Sequence, residues 1–283
     1  MDTIAREETF SSIKKLSIVK DSKGLPVGVD NGDGWENLVE FFYWQVDRLL
    51  NNKFYLLTGI PERKFTKQLL ALEPRLYKLK EADHENKNIP FLIIPPFSVD
   101  STPACSKIMS KVESVDGKKG LSMIKKGWAL KKTPNSTYLS TDIDVGYSNV
   151  GLSIKQAQSK ISKMKRETCT DKEGIMLFFY FPEIFSVCSE DLLNRGEHFM
   201  MLLGSRCESK GVPFAHWDKH SDRGKRGETA VPELSFYKGR PRMWCHKEDV
   251  YDNSLKGESR KLEGYGFPSC AKRIAPKKFL PLP

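Results

Sequence analysis

The chain has 283 residues, a formal net charge of +10, 39% hydrophobic residues and a mean hydropathy of −0.47. This length suits one large domain or two small ones, and the composition is that of an ordinary α/β or α+β protein. No apolar run approaches the roughly 20 residues that a membrane-spanning helix needs. The N-terminal residues also lack the apolar segment of a secretory signal, so the sequence predicts neither a membrane protein nor a secreted one.

The cysteines and the charge indicate the compartment and the class of partner. Six cysteines are scattered along the chain without a close-spaced pair, so we expect reduced thiols in a cytoplasmic protein rather than a disulfide framework. A basic chain attracts polyanions such as nucleic acid, phosphate-rich ligands or anionic surfaces. Acidic residues are interleaved with the basic ones throughout, so an anionic small molecule or a protein partner is favoured over nucleic acid, which stays possible.

The N-terminal half is predicted to be mainly helical around a buried strand. Residues 1–34 form a partly flexible leader, and one domain follows over residues 35–283. Apolar residues recur at helical spacing over 35–51, where Asp33 and Glu36 would close a capping box. A second helix begins at Pro61 and ends at Pro74. The elements expected next are strands at 89–95, 108–112, 121–124 and 137–145.

The C-terminal half is predicted to alternate helices with short strands. Residues 153–167 form an amphipathic helix, and a further helix begins after Thr170, with Glu173 closing its capping box. Strands are expected at 199–203, 213–217 and 242–246. Residues 218–238 are predicted to be a mobile insertion, since the stretch that follows Trp217 is polar and lacks periodicity. The fold class is therefore a single α+β domain, with a mixed or mainly antiparallel sheet flanked by helices.

Two aspartates end the strand predicted at 137–145. Asp142 and Asp144 would point the same way from a strand, because side chains two residues apart share a face. Two carboxylates this close repel each other, so they need a metal ion, a basic partner or a shared proton. Oxygen ligands suit a divalent cation such as Mg²⁺, which makes the pair a candidate metal site. The alternative is a pair of ordinary strand-end residues. The sequence predicts no cofactor beyond this possible divalent metal.

Thiols and imidazoles near the C-terminus are candidate catalytic groups. If residues 213–217 pair with 242–246, His216 would lie near Cys245 and could act as its base. Cys270 is a second candidate nucleophile, because Lys272 and Arg273 would favour its thiolate. Zinc held by His216, His220 and these cysteines is a further option. The alternative for each cysteine, which its residue type favours, is a small buried hydrophobe.

A turn and a basic, aromatic stretch are candidate anion-binding features. Gly204 and Ser205 would expose backbone N–H groups after a strand, and Arg206 adds a two-point donor for a carboxylate or phosphate. Residues 236–244 alternate aromatic and basic side chains, a pattern that suits single-stranded nucleic acid but also an ordinary strand rim. Phosphate-loop, dinucleotide, nucleophile-elbow and zinc-protease motifs are all absent from the sequence, which removes support from those enzyme classes.

Several short motifs together resemble an uncharacterised bacterial domain family of unknown function. The motifs lie at residues 45–50, 142–144, 173–183, 203–206, 212–213, 240–242 and 244–245. The resemblance spans roughly residues 40–275 and implies no catalytic residue, since no activity is established for that family. The family pattern is more compact between Trp217 and Arg240, and it has a tryptophan at the position of His246.

Two functions follow as expectations from these features. The first is the binding of an anionic ligand or partner at a basic, aromatic-lined sheet rim. Its residues would be Ser205, Arg206, His216, Arg242, Trp244 and Lys272. The second is a cysteine-dependent or metal-assisted hydrolase or transferase. There, Cys245 or Cys270 would be the nucleophile, His216 the base, and Asp142 with Asp144 an orienting or metal-holding pair.

Overall fold

The computed structural model describes eleven parts of the chain. They are residues 17–20, 26–30, 38–77, 79, 88–114, 117–130, 132–182, 199–209, 229–237, 240–246 and 265–276. The helices are α1 (Leu38–Asn51), α2 (Tyr55–Thr58), α3 (Glu62–Leu70), α4 (Glu73–Leu76), α5 (Thr102–Met109), α6 (Ile154–Lys163) and α7 (Asp171–Tyr180). The strands are β1 (Ser17–Lys20), β2 (Pro26–Asp30), β3 (Ile89–Ile94), β4 (Leu121–Ser122), β5 (Ile124–Ala129), β6 (Tyr138–Ile143), β7 (Glu167–Thr168), β8 (Phe199–Met201), β9 (Ser205–Ser209), β10 (Thr229–Tyr237), β11 (Arg240–His246), β12 (Tyr265–Gly266), β13 (Ser269–Cys270) and β14 (Lys272–Ile274).

The helix α1 packs on a three-stranded antiparallel sheet in the order β14-β6-β3. Its helical spacing buries Phe42, Val46 and Leu49 on one side, as the sequence predicts. The buried amide of Gln45 joins this face to β3, because its Nε2 donates to the Phe91 carbonyl at 3.2 Å and its Oε1 accepts from the Ile93 N–H at 2.8 Å. The first helix is thereby fixed to the sheet by polar as well as apolar contacts.

A larger mixed sheet closes on itself through two consecutive strands. β10 pairs antiparallel with β11, β11 pairs parallel with β4, and β5 pairs antiparallel with β9, which in turn pairs with β10. Only Met123 separates β4 from β5, and its N–H donates to the Met243 carbonyl at 2.8 Å. The four pairings therefore form a closed circuit, and β8 and β12 extend the sheet beside β10.

The helix α7 is buried along its length between the two sheets. It contacts β3 on one side and β5 and β10 on the other, and every described side chain from Glu173 to Phe181 is buried. Thr170 and Glu173 form the predicted capping box, and Ser153 with Gln156 forms a second one at α6. A Cβ atom at position 174 would lie 2.6 Å from the Leu202 methyl groups. Because Gly174 has no side chain, α7 can pack this closely on the larger sheet.

The predicted fold class is confirmed, because antiparallel and mixed sheets flanked by helices form a single α+β domain. Within the described parts of the chain, no helix has the length and apolar character that crossing a membrane requires.

Three predictions about elements are wrong. Residues 108–112 form no strand, since α5 occupies 102–109 with Ser101 as its N-cap and Pro103 in its first turn. The helix that was predicted to end at Pro74 ends at Leu70, and Pro74 lies in the first turn of the next helix, α4. The predicted insertion at 218–238 contains the nine-residue strand β10 at the centre of the larger sheet. Within the predicted leader, β1 and β2 pair antiparallel, and its partial flexibility stays a prediction. The remainder of that insertion, the capping box at Asp33 and the strand at 213–217 lie outside the described residues.

Candidate functional site

The residues predicted to form one site fall on two parts of the fold. Asp142, Asp144, Cys270 and Lys272 lie where β6 runs beside β13 and β14. Ser205, Arg206, Arg242, Trp244 and Cys245 lie on β9 and β11 of the larger sheet. His216 and His220 lie outside the described residues. The described partners of β11 are β10 and β4, so the predicted pairing with residues 213–217 has no support.

The two aspartates have separate partners. Asp142 is buried and forms an ion pair with Arg166, and its Oδ1 accepts a hydrogen bond from Asn88 Nδ2 at 2.7 Å. Asp144 is also buried and accepts from the Gly146 N–H at 2.8 Å and from the Ser148 hydroxyl. The sequence suggested a metal ion, a basic partner or a shared proton to offset the repulsion of the two carboxylates. The structure contains the basic partner, which is Arg166.

Arg166 also binds the backbone where the conformation of β6 is irregular, at Asp142. Asp142 has a φ of 50°, a left-handed conformation that aspartate tolerates better than most residues. The Arg166 guanidinium donates to the Asp142 carbonyl and, through Nε at 2.9 Å, to the hydroxyl of Ser269 on β13. A buried ion pair that also bridges backbone groups is primarily a structural feature, so we assign Asp142 to the fold.

A second ion pair lies deeper, between α7 and β14. Arg273 donates to Glu173 through Nε and Nη2, both at 2.8 Å, and its Nη1 pairs with Glu167. Burial lowers the pKa of the Arg273 guanidinium, but the hydrogen bonds and charge of Glu173 outweigh that and raise it overall. Glu173 also accepts from the Ser140 hydroxyl at 2.9 Å and from the Thr170 N–H at 2.8 Å.

Two thiols lie against this ion pair. The donor atoms of Cys169, Glu173 and Cys270 lie within 4.8 Å of one another, a group that could hold a metal ion by its composition alone. However, both oxygens of Glu173 already bind the Arg273 guanidinium, so a metal cation would have to displace a buried positive charge. The contacts of Glu173 therefore do not fit a resident metal ion.

The predicted nucleophiles are buried in hydrogen-bonded thiol pairs. Cys270 lies beside Cys169 and Cys245 beside Cys207, and all four side chains are buried. The hydrogen bond to Cys270, together with burial, raises the pKa of the Cys169 thiol well above its ordinary value. Burial, followed by the Cys245 contact, does the same for Cys207. Thiols without solvent access are poor nucleophiles, and Cys245 and Cys270 are both buried, so the structure gives the cysteine mechanism no support.

The turn at Gly204 and Ser205 does not expose free N–H groups, which corrects the sequence-based expectation. The Gly204 N–H donates to the Cys169 carbonyl at 2.9 Å, and the Ser205 N–H donates to the Leu202 carbonyl at 3.1 Å. The Ser205 hydroxyl faces inward and accepts from the Asp171 N–H at 2.9 Å. Ser205 therefore holds the start of α7 against β9 instead of facing a ligand.

Asp171 is a buried acid that sequence reasoning missed. Its side chain is 0% exposed, and its Oδ2 has no hydrogen-bond partner in the part of the chain that the structure describes. Burial raises the pKa of the Asp171 carboxyl to about 6, although the hydrogen bond with Ser205 lowers it in part. Only its position after the Thr170 cap was visible in the sequence. Acids at that position usually complement the helix dipole, so no local pattern marks Asp171 as buried.

Arg242 and Trp244 form a stacked pair on β11. The guanidinium carbon of Arg242 lies 4.1 Å from the centre of the Trp244 ring, and both side chains are buried. Both residues were predicted to bind a ligand at an exposed sheet rim, but their side chains contact each other and are buried. Lys272 is exposed on β14, opposite Thr141, on the smaller sheet.

The outward side of β5 and β9 is where basic and aromatic side chains meet solvent. Gly127 and Cys207 are paired across the two strands and point toward Asp171 and the core, so the alternate positions point outward. The outward pairs are Trp128 opposite Arg206 and Lys126 opposite Glu208. We call these four side chains the β5–β9 outer face. Lys126 is exposed, and the other three are partly exposed.

A bulge increases the positive charge of this face. The register of β5 against β9 shifts between Ile124 and Lys126, and such an irregularity re-aims neighbouring side chains. Lys125 and Lys126 are consequently both exposed, and Lys125 pairs with Glu208 at 3.0 Å. The Arg206 Nη1 donates to the carbonyls of Leu203 at 3.2 Å and Ser205 at 2.8 Å, which fixes its guanidinium at the edge of the face.

Comparisons with family models, with curated proteins and with solved structures gave no match. The resemblance to an uncharacterised bacterial family therefore stays a prediction.

Proposed function

We propose that the protein binds an anionic ligand or partner through the β5–β9 outer face. The observation that carries the proposal is the meeting of Lys126, Trp128 and Arg206 on one solvent-facing side of two paired strands. Arg206 follows Lys126 by 80 positions in the chain, and the pairing of β5 with β9 brings the two together. Arg206 belongs to the rim predicted from the sequence, whereas Lys126 and Trp128 replace the buried Arg242 and Trp244.

Charge supports an anion as the ligand. The chain carries a net charge of +10, which raises the local concentration of anions near its surface. Glu208 is the one acid among the four side chains of the face, and it pairs with Lys125. That pair is partly exposed, so it contributes little stability and an arriving phosphate or carboxylate can replace its carboxylate.

We also propose that the protein works in a reducing compartment such as the bacterial cytoplasm. Five cysteines of the described chain are free and buried, including two pairs of neighbouring thiols. Thiols in such pairs persist where the cellular reductants keep them reduced. The bacterial origin follows from the resemblance alone.

Binding of inorganic polyphosphate to matched charge variants tests the proposal. Lys126→Glu reverses a charge on the β5–β9 outer face, and Lys64→Glu makes the same change on the exposed side of α3. We expect Lys126→Glu to weaken binding about tenfold more than Lys64→Glu at about 0.1 M salt, where charges more than about 10 Å away are screened. Equal weakening by the two variants, or no binding by the unmodified protein, would overturn the proposal.

A further inference from the structure

Apolar side chains lie between cations along β5 and just beyond its end. Lys126 and Trp128 lie two residues apart on the outward side, which corresponds to about 6.8 Å along a strand. Leu130 follows directly after the end of β5, and its N–H donates to the Gly204 carbonyl at 2.8 Å. Its side chain is 52% exposed, and Lys132 is exposed two residues further on. Lys126 and Trp128 therefore lie on the strand, and the exposed Leu130 and Lys132 follow just beyond its end.

The neighbouring strand adds a fixed cation beside the ring. Arg206 lies directly opposite Trp128, and the Cβ atoms of opposed residues are about 5 Å apart in an antiparallel pair. Two backbone carbonyls, of Leu203 and Ser205, hold one nitrogen of its guanidinium. A planar cation in a fixed position next to an indole can contact a phosphate while the ring contacts a flat group attached to it.

We infer that the anionic ligand of this face is single-stranded nucleic acid, an inference that rests on the proposed function. A ligand that is only anionic, such as polyphosphate, gains nothing from Trp128 and Leu130. A nucleotide chain carries a flat base within a few ångströms of each phosphate, so its bases can lie on Trp128 and Leu130 while Lys126 and Arg206 bind the backbone. In a duplex the bases already stack on each other, so only the single strand can use the ring.

The discriminating experiment compares a thymidine oligonucleotide with polyphosphate of equal length. Both are titrated against the full chain at about 0.1 M salt, with tryptophan fluorescence and anisotropy as readouts. We expect the oligonucleotide of about ten residues to bind about tenfold more tightly than polyphosphate, since each stacked base adds affinity. Trp128→Leu should abolish this preference and leave polyphosphate affinity unchanged, whereas Trp128→Phe should keep most of it. Thermal unfolding of each variant shows whether it folds.

Three outcomes would overturn the inference. Equal affinity for the two polyanions, an oligonucleotide affinity that Trp128→Leu does not change, or equal affinity for the duplex form would each exclude base stacking at this face. In each of these cases the proposed function stands, because polyphosphate still binds in a Lys126-dependent manner. If polyphosphate and oligonucleotide both fail to bind, the proposed function falls and the inference falls with it.

Discussion

Arg273 and Glu173 form a two-point ion pair between the smaller sheet and the buried helix α7, with both nitrogen–oxygen distances at 2.8 Å. The pair lies among buried hydroxyl and thiol groups, including Ser140, Cys169 and Cys270. It therefore ties the C-terminal strand β14 to the start of the central helix, a hundred residues earlier in the chain.

Removing one partner of this pair should destabilise the fold strongly. Arg273→Met would leave the buried carboxylate of Glu173 without a cation, a change that typically costs about 3–5 kcal/mol. The matched control is Lys119→Met at the Lys119–Glu113 pair, whose side chains are 56% and 43% exposed and whose loss should cost under about 1 kcal/mol. Urea unfolding measures both. Similar free energies of unfolding for the two variants would show that the buried pair contributes no more to stability than the exposed pair.

Asp171 should make stability fall as pH rises between about 4 and 6. Burial raises the pKa of the folded carboxyl to about 6 from its ordinary value of 3.8, so in this window the folded state holds a proton that the unfolded state has released. Stability is therefore highest below the unfolded pKa and decreases until pH passes the folded pKa, by roughly 3 kcal/mol in total.

Asp171→Asn provides the comparison for this pH dependence. Asparagine stays neutral at every pH, so the variant should gain stability relative to the unmodified protein as pH rises from 4 to 7. The measured quantity is the difference in unfolding free energy between the two proteins across that range. A difference that does not change with pH would mean that Asp171 does not titrate in this window.

The buried thiols should resist modification in the folded protein. Burial and thiol–thiol contacts raise the pKa of Cys169 and Cys207, and thiolates are the species that alkylating reagents attack. On a Cys188→Ser background, which leaves the five buried cysteines, we expect labelling by iodoacetamide at neutral pH only after denaturation. Labelling of Cys245 or Cys270 faster than a free peptide thiol would revive the cysteine-dependent enzyme predicted from the sequence.

Two glycines should differ in their tolerance of a methyl group. A Cβ at Gly204 would lie 2.5 Å from the Thr168 carbonyl oxygen and 2.7 Å from that of Cys169, and backbone atoms cannot easily move. A Cβ at Gly174 would meet Leu202 and Leu234 methyl groups, which can rotate away, and alanine also favours the helix by up to about 1 kcal/mol. Gly204→Ala should therefore cost about 3 kcal/mol and Gly174→Ala clearly less, measured by urea unfolding. The reverse order would contradict this packing.

Local patterns predicted much of the fold, and non-local pairing accounts for the failures. The spacing of apolar residues in α1 and the capping boxes at Ser153 and Thr170 depend on neighbours within a few positions, and the structure contains all three. The strand β10 was missed because it carries the polar residues Glu233 and Ser235, which are nevertheless buried. Their burial depends on the sheet around them, and no local sequence signal shows it.

The candidate site was predicted less well than the fold, for the same physical reason. The sequence pointed to Arg206, which does lie on the β5–β9 outer face, but its neighbours there come from β5. Trp128 had no distinguishing local pattern, because its importance arises from the register that sets it opposite Arg206. Trp244 and Arg242 had such a pattern, yet they stack on each other and are buried.

The salt dependence of polyanion binding tests the central claim most directly. If Lys126 contacts a phosphate on the β5–β9 outer face, then Lys126→Gln should lower the magnitude of the slope of log K against log salt concentration by nearly one. Lys64→Gln, at an exposed position on α3, should leave the slope unchanged although it removes the same charge. Equal slopes for the two variants and the unmodified protein would contradict an anion site at this face.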